Sequence, residues 1–142
     1  MDAQKISLSA LDVEWRRLEV IAQNLANMNS TRTESGDVYH PQRLVSGPGA
    51  SFSSLLGAAG TTNEPTGVHV VAIEETPDGL KRTYDPKHPH ADADGFVTTP
   101  NVDHAQEMAL MVKTSRIYEA NLAAIRIAQN MYAKALEIGK QS

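Results

Sequence analysis

The chain has 142 residues, 41% of them hydrophobic, with only two Phe and one Trp, which predicts one small domain with a modest aliphatic core and leaves no room for two ordinary enzyme domains. Thirteen Lys and Arg against seventeen Asp and Glu give a net charge of -4 without a basic run, which argues against nucleic-acid binding. The lack of cysteine excludes a disulfide framework, a thiolate zinc site and a cysteine nucleophile.

Residues 4–28 are predicted to form one amphipathic helix, the main element of an N-terminal helical domain over residues 1–30. Neither Gly nor Pro interrupts them, and a heptad seam of apolar residues runs along one face: Leu8, Leu11, Trp15, Leu18, Ala22 and Leu25. The mixed charge at the start of the chain differs from the continuous apolar block of a signal peptide. We therefore expect neither a cleaved signal peptide nor a transmembrane helix.

A middle segment, residues 31–100, has a different texture. Ser, Thr, Gly and Pro predict loops at 29–37 and 46–67, the second of them flexible. Short β-like runs occur at 39–45, 68–73, 80–84 and 95–97, and Pro77, Asp78 and Gly79 predict a turn between the second and third runs. The middle segment is therefore expected to be a small β element with loops.

The second long helix is predicted within residues 101–142, where Asp103 followed by Gln106 indicates an N-terminal cap. Heptad spacing continues along it at Met108, Met111, Ser115, Tyr118, Leu122, Ile125, Gln129, Tyr132 and Leu136. An adjacent stripe comprises Ile117, Asn121, Ala124, Ala128, Met131, Ala135 and Ile138. Two apolar edges on one helix predict contact with more than one neighbour.

These patterns predict a mainly α fold, with long N- and C-terminal helices forming a coiled-coil bundle around a small β-containing middle segment and flexible loops. At 1.5 Å per residue the helices would be about 35 Å and 50 Å long. The middle segment is too poor in apolar residues to cover them. An assembly of several chains therefore satisfies the pattern better than a monomer.

The stretch 85–95 is the most enzyme-like part of the chain, because His88, His90, Asp92 and Asp94 offer imidazole and carboxylate ligands. A calcium loop of this register would need a carboxylate where Asn101 stands, and two histidines are too few for zinc. An ordered turn accounts for the same residues. We predict no catalytic, cofactor-binding or metal site and no small-molecule substrate.

Three asparagines on the helices allow two interpretations each. In the first interpretation, Asn27 caps the end of the first helix, Asn24 lies on the protein surface, and Asn121 lies exposed on the second apolar stripe. Alternatively, an asparagine on a helix seam fixes register at a cost in stability. We assign Asn24, Asn27 and Asn121 to register.

Two sets of residues resemble one known family. The run 22–27 (AQNLAN), followed by Ser30, Thr31 and Tyr39, resembles the N-terminal signature shared by flagellar rod and hook subunits. A second and more specific set resembles the proximal-rod members of that family: residues 84–86, 88–89, 91–97, 100–103, 107–108, 115–116 and 118–121. The resemblance covers nearly the whole chain, apart from about 45–67.

The resemblance implies a structural subunit of a hollow, torque-transmitting flagellar rod, exported by the flagellar type III apparatus without signal-peptide cleavage and assembled in the periplasm. Expected partners are copies of itself, other rod proteins, the export apparatus and the surrounding basal-body rings. The packing residues that we expect are Leu11, Trp15, Leu18, Leu25, Tyr118, Leu122, Ile125 and Leu136. Three alternatives stay open: a helical-hairpin adaptor or export chaperone, another rod-type axial protein, and a small metal-dependent hydrolase using the ligands at 88–94.

Overall fold

The computed structural model describes residues 2–34, 36–49 and 67–140. Helix α1 is Asp2–Asn27, and α2 is His104–Lys140. Between them lie four strands: β1 (Gln42–Pro48), β2 (Val68–Glu75), β3 (Leu80–Tyr84) and β4 (Phe96–Pro100). Long terminal helices around a small antiparallel β middle are thus confirmed, although the description as mainly α holds only roughly, because helix makes up about half of the chain.

The cap predicted at the start of the second helix is present. The Oδ1 atom of Asp103 accepts hydrogen bonds from the backbone N–H groups of Ala105, at 2.9 Å, and Gln106, at 3.1 Å. It thereby satisfies two of the donors that a helix N-terminus leaves without partners. At the end of α1, Asn27 donates from Nδ2 to the backbone oxygen of Gln23 at 2.9 Å, a bond within its own helix.

The four strands form two separate two-stranded antiparallel sheets, β1 with β2 and β3 with β4. In the first, Leu44 lies opposite Ile73, and the register shifts after Val45. The turn predicted at 77–79 joins β2 to β3, where the Gly79 N–H donates to the Thr76 oxygen at 3.0 Å.

The predicted loop at 46–67 begins too early. Residues 46–48 continue β1, because they pair with β2 through the register shift, so the first part of this prediction was wrong. Residues 50–66 of the predicted flexible loop lie outside the described part of the chain.

The hydrophobic core lies between α1 and the first sheet. It contains Val13, Val20 and Leu44, with Val68 and Val70 packed against them. The predicted seam of α1 runs along the border of this buried face: Leu8, Trp15 and Ala22 are exposed, and Leu11, Leu18 and Leu25 are half-buried. The buried face is rotated from the predicted seam because α1 must cover a sheet on one side and α2 on the other.

Candidate assembly interface

A buried polar junction holds α1, β1 and α2 together around the amide of Asn24, which is 2% exposed. Its Oδ1 atom accepts from the Gln42 N–H and from the Tyr39 hydroxyl, both at 2.9 Å. Its Nδ2 atom donates to the Gln42 oxygen at 2.9 Å and, more weakly, to Glu107 Oε1 at 3.4 Å. The Asn24 side chain therefore bonds both backbone groups of Gln42, as a neighbouring strand would. The alternative that Asn24 occupies an exposed position was wrong.

Burial changes the acidity of two groups at this junction. The pKa of Glu107 is raised, chiefly because desolvation penalises its ionised form, although Asn24 and Arg43 act in the opposite direction. The pKa of Tyr39 is raised, first by burial and then by the negative charge of Glu107. Both pKa values are therefore raised chiefly because water has limited access to these groups.

Beyond the junction, α1 and α2 pack lengthwise and antiparallel. Of the predicted heptad positions in this part of α2, Met111, Ser115, Tyr118, Leu122 and Ile125 are half-buried and Gln129 is exposed. Thr114, Asn121 and Ala128 add a second buried or half-buried row beside them. Since Thr114 is only 1% exposed, this seam is partly polar.

The last part of α2 extends past α1. Because Asn24 meets Glu107 and Trp15 meets Tyr118, helices with equal rise place Asp2 opposite about residue 130. All residues from 129 to 139 are exposed. We call residues 129–139 the overhang. Its exposed apolar side chains include Met131 at 68%, Tyr132 at 59% and Leu136 at 53%.

The eight predicted packing residues take different positions. Six are half-buried, namely Leu11, Leu18, Leu25, Tyr118, Leu122 and Ile125, and two are exposed, Trp15 and Leu136. Among the register residues, Asn121 donates from Nδ2 to the Ile117 oxygen of its own helix at 2.9 Å. Their roles between chains remain predictions.

The enzyme-like stretch between β3 and β4 is an ordered hairpin loop. The Oδ1 atom of Asp92 accepts from the N–H groups of Asp94, at 3.0 Å, and Phe96, at 2.8 Å, and its Oδ2 atom pairs with Arg82. His88 and His90 lie with ring centroids 5.5 Å apart. Within the described ranges no group of three or more His, Cys, Asp or Glu side chains could hold a metal ion.

A groove of about 460 Å³ lies between α1, β1 and the start of α2. Its lining combines apolar side chains such as Val20, Ile21 and Leu44 with polar groups such as Asn24 and Glu107. Within the described part of the chain, neither helix is long and apolar enough to cross a membrane.

Sequence reasoning did not identify the contacts that fix this architecture. It omitted Val13 and Val20 from the buried face of α1. It included Tyr39 and Gln42 in the β-like run 39–45 but assigned them no contact with α1. The bond between Asn24 and Gln42 joins residues 18 positions apart, and no local pattern specifies such a pair.

Two long terminal helices with exposed apolar side chains around a short β middle suit a subunit that assembles through its ends. The family model described as "Flagellar basal body rod FlgEFG protein C-terminal" matches residues 93–138, which contain β4 and most of α2. This match indicates the class of flagellar axial proteins.

Relatives that match nearly the whole chain define the family more closely. The flagellar basal-body rod protein FlgC of Bacillus subtilis is 42% identical over 142 residues, covering 95% of each chain. The FlgC protein of Salmonella typhimurium is 34% identical over 135 residues, which cover 95% of this chain and 94% of the relative. The FlgC protein of Borreliella burgdorferi is 33% identical over 141 residues, which cover 94% of this chain and 93% of the relative. The chain belongs to the FlgC family of flagellar basal-body rod proteins, which confirms the resemblance drawn from its motifs.

Proposed function

We propose that this chain is a non-enzymatic subunit of the proximal rod, which polymerises through α1 and α2 into a hollow shaft that transmits torque. The observation that carries the proposal is the overhang of α2, where Met131, Tyr132 and Leu136 are all more than half exposed. Fully burying such side chains is worth about 1.5–3 kcal/mol each. Contact with a neighbouring subunit would supply that burial.

The exposed border of α1 supports the same proposal. Leu8 is 56% exposed and Trp15 is 55% exposed, so the predicted heptad seam has a side that the described part of the chain does not cover. An apolar border on α1 and an apolar overhang on α2 are different surfaces, so a contact between them is head-to-tail. Such contacts produce a helical tube when they do not close into a ring.

We assign the predicted residues the following roles in this arrangement. The half-buried residues would pack both between α1 and α2 of one chain and against neighbouring chains: Leu11, Leu18, Leu25, Tyr118, Leu122 and Ile125. The two exposed residues, Trp15 and Leu136, would pack mainly against neighbouring chains. Asn27 and Asn121, which bond within their own helices, would set register at the surface. Asn24 would act indirectly, by holding β1 against α1.

The proposed partners are copies of this chain, other rod proteins, the flagellar type III export apparatus and the surrounding basal-body rings. We place the subunit in the periplasmic rod and propose that it is exported without a cleaved signal peptide. Membership of the FlgC family supports this placement. No nucleic acid, cofactor or small-molecule substrate takes part.

The experiment is complementation of a strain that lacks the gene, with swimming and electron microscopy of basal bodies as readouts. The intact chain should restore rods, filaments and swimming, whereas a chain lacking 118–142 should restore none of them. Lys134→Gln, which changes an exposed charge in the overhang, is the matched control and should behave as wild type. Normal rods in the deletion strain would contradict the proposal.

A further inference from the structure

Glu107 lies one turn inside α2, at the junction with α1 and β1, and its hydrogen bonding is incomplete. Its Oε2 atom is buried and has no hydrogen-bond partner among the described residues. Its Oε1 atom accepts from Asn24 Nδ2 at 3.4 Å, and that donor also serves the Gln42 oxygen at the shorter distance of 2.9 Å. A carboxylate in this position lacks the donors that would replace its water.

The groups that face Glu107 do not compensate for this loss. On α1, Arg17 is engaged by the Glu14 carboxylate at 3.1 Å and by the Ser46 hydroxyl at 3.1 Å. Before β1, the Tyr39 hydroxyl donates to Asn24. The remaining charged groups around the groove are Arg43 on β1, and Asp103 and Lys113 at the start of α2.

The positive charge of Arg43 lowers the pKa of Glu107. Among the described residues, however, Arg43 forms no ion pair with Glu107 within 4.0 Å. Asp103 is committed to the helix cap. The groove of about 460 Å³ beside Glu107 is also lined by Gln106 and Leu110 from the first turns of α2.

We propose that Glu107 is a proton-sensitive latch, whose neutral form seats the first turns of α2 against α1 and β1 and whose ionised form loosens them. The latch acts within a single chain, so it goes beyond rod assembly and does not depend on it.

The direction of the pH effect follows from burial, which raises the pKa of Glu107 in the folded chain. The folded chain then holds a proton at pH values where the unfolded chain has released it. The stabilising effect is complete below the unfolded pKa and is lost as pH rises through the folded pKa. The chain should therefore hold the junction more tightly in mild acid than at neutral pH.

Hydrogen exchange on the full chain between pH 4 and 8, corrected for intrinsic exchange, tests the latch at the amides of residues 107–114. In the wild type, the opening equilibrium should increase about tenfold for each unit by which the folded pKa exceeds the unfolded one. Glu107→Gln should remove that increase and give high protection at neutral pH. Glu119→Gln removes the same charge at an exposed position of α2 and should keep the wild-type pH profile.

A carboxyl carbon titration of the wild type by NMR provides a second readout that needs no variant. It should place the pKa of Glu107 above that of an ordinary glutamate. A pKa at or below the ordinary value, an unchanged pH profile in Glu107→Gln, or no protection at 107–114 at any pH would each overturn the proposal.

Discussion

The indole ring of Trp15 on α1 lies 6.4 Å from the phenol ring of Tyr118 on α2, centroid to centroid, with the ring planes inclined at 49°. The indole Nε1 atom donates to Glu19 one turn further along α1 at 3.1 Å. This contact joins the helices near the middle of α1, yet more than half of the Trp15 side chain is exposed. Trp15 therefore contacts α2 of its own chain and still has exposed surface that a neighbouring subunit could contact.

Trp15→Ala should weaken the single chain modestly, since aromatic pairs contribute about 0.5–1.5 kcal/mol beyond the area they bury. A double-mutant cycle with Tyr118→Ala, followed by urea unfolding and far-UV circular dichroism, would isolate this coupling. Arg16→Ala, at the next and exposed position, is the control. A coupling energy indistinguishable from zero would show that the rings do not interact in solution.

Asn24→Ala should destabilise the chain strongly, on the order of 3 kcal/mol, because it leaves both backbone groups of Gln42 and the Tyr39 hydroxyl without their partner. The free energy of unfolding from denaturant titration measures this loss. Asn27→Ala removes a bond to a carbonyl of its own helix at an exposed site and should cost less than about 1 kcal/mol. Equal losses in the two variants would contradict the role of the junction.

Asp92→Asn should loosen the tip of the β3–β4 hairpin, because the pKa of Asp92 is lowered, first by the backbone N–H of Phe96 and also by Arg82. A lowered folded pKa means that the stabilisation is present above the unfolded pKa and is lost as pH falls through the folded one. NMR protection of the Phe96 amide should follow this course in the wild type. In the variant, which keeps an oxygen acceptor but loses the charge that pairs with Arg82, protection should be lower than wild type at neutral pH and should not change with the titration of residue 92.

The matched control for the hairpin is Asp94→Asn, since Asp94 contributes its backbone N–H to Asp92, a bond that this substitution retains. It should preserve both the protection and its dependence on pH. Protection of Phe96 in Asp92→Asn equal to that of the wild type at neutral pH would show that the charge of Asp92 does not stabilise the loop.

Leu136→Lys should leave the stability of the single chain within about 0.5 kcal/mol of wild type, because the Leu136 side chain is 53% exposed. It should nevertheless prevent rod formation in the complementation assay, where burial of a lysine charge opposes the contact. Hydrogen exchange should show protection at 111–125 and little at 129–139. Normal swimming with Leu136→Lys would exclude the overhang as an assembly surface.

Local patterns were sufficient for several elements. The apolar periodicity and the absence of Gly and Pro predicted both helices, because these signals act within a few residues. Asp103 and the turn at 77–79 were recognisable for the same reason. The boundary of β1 was misplaced, since residues 46–48 are held in a strand by pairing with β2, a partner that the local composition of Ser, Gly and Pro does not reveal.

By itself, the sequence determined the two terminal helices, the β middle and the family to which the chain belongs, because heptad spacing, caps and motifs are written in neighbouring residues. Only the tertiary structure decided which face of α1 is buried, that Asn24 serves β1, and that Glu107 lies without a full set of donors. It also decided where α2 passes the end of α1. These features depend on how a sheet and a second helix share one helix surface, and such packing is a property of residues distant in the chain.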